Sequence, residues 1–99
     1  MPLSFRRWPQ ARADLKEIWL SIAEDNPRAA DGVLDRLDAA VAMLTEQPGA
    51  GRSRDELRSG LRYFPVGSYL VFYSVGKGVI DVRRVLHGAR DIDADLFED

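Results

Sequence analysis

The stretch LRYFPVGSYLVFYSVGKGVIDVRRVLHGARD, residues 61–91, carries the decision about the fold. Tyr69, Val71, Tyr73 and Val75 alternate with Leu70, Phe72 and Ser74. Both faces of that run are apolar, which predicts a central strand covered on two sides. Gly76-Lys77-Gly78 then turns the chain, and residues 79–87 return as its partner. Strict alternation puts Ile80, Val82, Arg84 and Leu86 on one face and Val79, Asp81, Arg83, Val85 and His87 on the other. Leu61 to Val66 reads as a further strand. Pro65 places it at an edge or a bulge, because proline cannot donate to a ladder.

Working outward, the N-terminal half predicts a helical hairpin. Leu3, Phe5 and Arg7 alternate with Ser4, Arg6 and Trp8 as a short first strand, and Pro9 suits the first turn of a helix. Ala11, Leu15, Ile18, Trp19, Ile22 and Ala23 recur at spacings of three and four, one apolar stripe opposite Asp14, Lys16, Glu17 and Glu24. Asn26 is an N-cap for a second helix, with Pro27 where its missing N–H costs nothing. That helix carries Ala30, Val33, Leu34, Leu37, Ala40, Val41 and Leu44 inward and stops at Pro48-Gly49. The short connection makes the pair antiparallel, and the alanines let the backbones approach. Residues 49–59 read as a loop, and Ile92, Leu96 and Phe97 as a weakly docking tail. The expected fold is α+β in the order βααβββ: a helical hairpin on a small, mostly antiparallel sheet, in one domain spanning residues 1–99.

Composition limits the function classes. The 99 residues contain no cysteine, so disulfides and thiolate metal sites are excluded. No apolar run approaches the ~20 residues of a membrane span, and a soluble cytoplasmic protein is the expectation. The net charge of −2 is unevenly spread. Residues 1–51 carry six bases and eight acids, residues 52–90 eight bases and three acids, and residues 91–99 five acids alone. Seven of the eight bases in the middle segment are arginine, a rigid fork suited to carboxylate or phosphate. The alternative is a solvated sheet face partly neutralised by the acidic tail.

Candidate chemistry is sparse. His87 is the only histidine, and Asp81 stands six residues away along a strand, roughly 20 Å. One histidine and scattered carboxylates give no metal-ligand spacing, and no cofactor fingerprint occurs. Metal-free RNA cleavage would draw on Arg62, Tyr63, Tyr69, Tyr73, Arg83, Arg84 and Arg90, but alternation sends Arg83 and Arg84 to opposite faces. Tyr63, Phe64, Tyr69 and Tyr73 offer a stacking sheet for nucleic acid, opposed by an isoelectric point near 5.4. Trp19, beside the helical stripe, and Trp8, at the end of the first strand, read first as core packing, with a groove for a partner helix on so broad a stripe as the alternative.

Taken in order, Ala13-Asp14-Leu15-Lys16-Glu17-Ile18, Asp25-Asn26-Pro27, Pro48-Gly49-Ala50-Gly51-Arg52, Glu56-Leu57-Arg58, Gly60-Leu61-Arg62, YLVFY at 69–73 and RVLHGARD at 84–91 resemble the ParE/RelE toxin superfamily of type II toxin–antitoxin modules. The resemblance covers almost the whole chain and implies the same βααβββ fold. That superfamily has a ribosome-dependent messenger RNA endonuclease branch and a ParE-like branch that poisons DNA gyrase. The endonuclease branch places lysines on the strand matching residues 61–66 and an arginine on the next strand. This chain has no lysine there, Leu70 at the arginine's best match, and Leu96 or Phe97 in place of a tail tyrosine. Arg90 alone matches a functional arginine of that branch. The resemblance therefore implies a non-enzymatic, cofactor-free ParE-like gyrase poison that causes growth arrest. It implies neutralisation by a cognate ParD-like, DNA-binding antitoxin in a hetero-oligomer. It implies no membrane partner and no direct sequence-specific nucleic-acid binding. Trp19, Arg58, Arg62, Tyr63, Arg84, His87 and Arg90 are the expected partner-binding residues. The alternatives are a RelE-like endonuclease using Arg62, Arg84, Arg90 and a tyrosine, and an interaction domain that has kept the fold and lost toxicity.

Overall fold

Two helices cover one face of a five-stranded sheet in the computed structural model, which describes residues 2–98. The elements are β1 (Ser4–Arg7), α1 (Pro9–Ala23), α2 (Pro27–Glu46), β2 (Arg52–Ser53), β3 (Arg62–Val66), β4 (Tyr69–Val75), β5 (Val79–His87) and a terminal 3-10 turn (Ala94–Phe97). Asn26 caps α2 as its sequence position predicts, its side chain accepting from the Ala29 N–H at 3.1 Å. Trp8 occupies the same position before α1 without a side-chain cap. Both helices have proline in the first turn, where no intrahelical donor is lost.

The strand order is β1-β5-β4-β3-β2, with β1 parallel to β5 and every other pairing antiparallel. β4 is central, as its two apolar faces predict. The expected order gains one short strand: Arg52 and Ser53, read as loop, pair with Tyr63 and Arg62. Because β2 stops there, Pro65 lies beyond its reach on the outer side of β3. The β4–β5 turn uses Gly78 at φ +71°, which a β-carbon would strain.

Strict alternation along β5 is overturned by a bulge. Phe72 pairs with Arg84 but Tyr73 pairs with Val82, so Arg83 is an extra residue. Val82 and Val85 consequently share the helix-facing core with Ile80, Val71, Tyr73, Leu37, Val41 and Leu44. Leu86 joins a second core on the opposite face with Leu61, Phe72 and Phe97. Each fully buried side chain of this kind contributes ~1.5–3 kcal/mol. The sheet is thus apolar on both faces, with helices over one and the C-terminal segment over the other. The tail docks firmly: Phe97 is 2% exposed, and its ring lies 4.8 Å from that of Phe72.

Candidate functional site: a cleft between the first helix and the end of the last strand

β5 outruns its neighbour. β1 pairs with residues 79–82, and the Trp8 N–H reaches the Val82 carbonyl, leaving the last turn of β5 without a strand beside it. α1 crosses that bare edge. Asp14 on α1 accepts from the Val85 backbone N–H at 3.0 Å, as a neighbouring strand would. The same carboxylate holds Arg84 at two points, Nε–Oδ2 2.8 Å and Nη2–Oδ1 2.9 Å. Asp14 also raises the pKa of Arg84, mainly by that hydrogen bond.

Next to this clasp opens a cleft of about 230 Å³. Glu17, Ile18 and Ser21 form its helical wall, and Tyr69, Val85, Leu86, His87 and Arg90 form its strand wall. The His87 and Tyr69 rings meet edge to face at 5.4 Å. His87 Nδ1 accepts the Ala89 N–H at 3.1 Å, so the neutral ring carries its proton on Nε2. His87 is therefore arranged as a donor, not as a free base.

The seven residues singled out from the sequence do not form one patch. His87 and Arg90 meet in the cleft, exposed. Arg84 is turned away from it, donating also to the Leu96 carbonyl at 2.9 Å. Arg58 donates to the Phe97 carbonyl at 3.0 Å. Arg62 donates to the Gly51 carbonyl at 2.7 Å. Tyr63 packs on Phe72 with Arg54 over its ring at 5.7 Å. Trp19 is half-buried, and its indole N–H donates to Asp31 at 2.8 Å, joining α1 to α2.

Two expectations about the arginines and aromatics are corrected. Arg83 and Arg84 do act together: the bulge turns both toward the tail, where Arg83 donates to the Phe97 carbonyl at 3.1 Å and stacks 3.7 Å over the Trp8 ring. The proposed stacking sheet is also not open. Tyr73 is fully buried, and its hydroxyl donates to the Pro48 carbonyl while accepting the Gly51 N–H, both at 2.8 Å. Burial raises the Tyr73 pKa.

Asp14 departs from the solvent face of α1 that the sequence predicts for it, whereas Glu17 is exposed as expected and lines the cleft mouth. Asp14 is 7% exposed. Its signal was present: it lies three residues after Ala11 and four before Ile18, inside the apolar stripe. Asp81 pairs with Ser74 near the start of β5 and His87 with Tyr69 at its end. Asp81 is buried against Arg6, whose hydrogen bond is the main cause of its lowered pKa.

Similarity to known proteins agrees with this architecture. The family described as the ParE toxin of the type II toxin–antitoxin system parDE matches residues 6–92. Toxin ParE1 of Mycobacterium tuberculosis is 40% identical over 90 residues, covering 89% of this chain and 92% of that protein. Toxin ParE1 of Caulobacter vibrioides is 38% identical over 95 residues, covering 93% and 96%. The solved chromosomal ParDE system of P. aeruginosa superposes with a TM-score of 0.72 at 22% identity, over 86% of this chain and 95% of that one. The M. tuberculosis RelBE2 complex follows with a TM-score of 0.59 at 20% identity, over 88% and 99%. Among the described residues no helix is long and apolar enough to cross a membrane. On the match across residues 6–92, and on relatives near 40% identity over nearly their full length, this chain belongs to the ParE toxin family of type II toxin–antitoxin systems.

Proposed function

We propose that this toxin acts without its own catalytic centre by gripping DNA gyrase, and that a ParD-like antitoxin neutralises it by direct binding in the cytoplasm. The observation that supports this reading is the separate employment of Arg62, Arg84 and Arg90. RNA cleavage at one site would need them to converge on one phosphate. Instead Arg62 holds the Gly51 carbonyl, Arg84 clasps Asp14 and the Leu96 carbonyl, and Arg90 lines the cleft. Purified toxin is expected to block gyrase supercoiling or raise the level of cleaved DNA complexes. Unchanged values of both would defeat the proposal.

The endonuclease reading draws on one specific feature, the open cleft that brings His87, Tyr69 and Arg90 together. The His87 hydrogen bond weakens it, because the nitrogen a base would use already accepts the Ala89 N–H. Mapping messenger RNA 5′ ends after induction separates the readings: cuts at fixed codon positions support the endonuclease, and their absence removes it.

A further inference from the structure

The C-terminal segment covers one face of the sheet without joining it. Past Gly88 the backbone hydrogen bonds of the described residues reach only near neighbours: Arg90 N–H to the His87 carbonyl, Leu96 to Asp93 and Glu98 to Asp95. The residues that lead into the segment, 88–91, are exposed. Side-chain burial of Phe97, with Ile92 and Leu96 packed alongside, holds it down. Arginines add to this: Arg58 and Arg83 donate to the Phe97 carbonyl, and Arg84 donates to that of Leu96. Every peptide offers the same carbonyl acceptor, so these donors fit any extended chain that lies where the tail lies.

Beneath the tail are Phe72, Leu61 and Leu86, each at most 2% exposed, with Tyr63 packed against them. Arg83 also stacks on the Trp8 ring beside this floor. Aromatic residues and arginine around an apolar centre are the composition of binding hot spots. The described part of the tail carries Asp93, Asp95 and Glu98 around Leu96 and Phe97. An acidic segment with two adjacent large apolar side chains is thus the chemistry that this face already holds.

We propose that residues 92–98 open as a strap, and that the face beneath grips the target through an extended acidic segment that replaces Leu96 and Phe97. The inference rests on the gyrase reading and gives that grip a surface. The docked strap is the resting form, because Phe97 is buried in it. An open form populated at about 0.1–10% lowers the apparent affinity for the target in proportion. Fixing the strap shut therefore weakens the toxin. Loosening it strengthens the toxin, although the loosened protein is less stable.

Gyrase supercoiling assays on full-length variants test this. Gln10 and Glu98 line one small pocket beside Trp8, and the chain has no native cysteine. Bridging a Gln10→Cys, Glu98→Cys variant with a bismaleimide is expected to raise the inhibitory concentration at least tenfold. The same variant capped with a simple maleimide is expected to stay within twofold of wild type. Phe97→Ala, assayed where circular dichroism shows it folded, is expected to inhibit at a severalfold lower concentration, with Phe97→Leu between it and wild type. Equal potency of the bridged and capped proteins would overturn the strap, as would a folded Phe97→Ala variant no more potent than wild type. Thiol labelling of the native protein gives a readout without gyrase. Cysteine in Leu61→Cys, under the tail, is expected to react at least tenfold faster than in Leu44→Cys, under the helices. Equal labelling rates would show that the strap does not open. A wild type without effect on gyrase would overturn the target reading, and the labelling rates would then decide the strap alone.

Discussion

Arg84 and Asp14 lie 70 residues apart in sequence and form a two-point clasp that joins the bulged part of β5 to the first helix. The Asp14 side chain is 8% exposed and that of Arg84 15%. Removing one partner of a buried pair strands the other charge, which costs about 3–5 kcal/mol. Asp14→Ala also orphans the Val85 N–H, so it is expected at the upper end of that range. Asp14→Asn, which keeps an acceptor, is expected to lose less. Urea denaturation measures both, and a loss below 1 kcal/mol for the alanine variant would show that the clasp does not hold the fold. With the expected loss, weakened toxicity in Arg84→Ala is read through stability before contact.

Gly51 and Tyr73 predict a second, independent weak point. A β-carbon on Gly51 would lie 2.7 Å from the Tyr63 carbonyl oxygen and against the Tyr73 hydroxyl. Backbone must move to admit it, so Gly51→Ala is expected to cost about 1–3 kcal/mol. Tyr73→Phe deletes the acceptor of the buried Gly51 N–H and costs a similar amount, about 1–3 kcal/mol. The two changes disturb one contact, so their costs are expected to be non-additive in the double variant. Strict additivity in denaturation midpoints would separate the two sites.

The helical hairpin, the central position of β4 and the antiparallel hairpin after it were legible because each follows from local periodicity and turn chemistry. The β5 faces were not, because one inserted residue reverses every side chain after it. The irregularity was nonetheless written in the sequence: Ile80 and Val82 are two apart, and the next apolar residue, Val85, is three further on. Arg58, Arg62 and Arg84 stand out in the sequence as partner-binding candidates, and in the structure their guanidiniums hold the Phe97, Gly51 and Leu96 carbonyls and the Asp14 carboxylate. Sequence shows that an arginine is present, but only the fold shows which carbonyl or carboxylate has claimed it. The parallel β1–β5 pair, and the bare edge of β5 that creates the cleft, depend on long-range pairing that no local pattern encodes.

The tail supplies a third prediction. Phe97 fills the second core, while Arg58 and Arg83 both donate to its carbonyl. Phe97→Ala removes a large buried ring at a core position, for which about 3–5 kcal/mol is usual. The lower end of that range, about 3 kcal/mol, is expected. Phe97→Leu, which keeps most of the apolar contact, is expected to recover more than half of that. Thermal melts of the two variants check it, and equal melting temperatures for Phe97→Ala and wild type would mean that the tail packs without stabilising.

Acid sensitivity should trace to Asp81. Its carboxyl is held below the ordinary value, first by the hydrogen bond from Arg6 and further by one from the Trp8 indole, against an opposing effect of burial. In the unfolded chain the carboxyl returns to its ordinary value near 4. Between those two values the unfolded state binds more protons than the folded state, so stability falls as pH falls. The contribution is therefore fully present at neutral pH, begins to fade below about pH 5, and is gone once the folded carboxyl itself protonates. Asp81→Asn is expected to be less stable than wild type at pH 7, with the difference shrinking steadily toward pH 3. Urea midpoints for both proteins across that range give the slope directly, and a gap that stays constant with pH would place the acid response in other carboxylates.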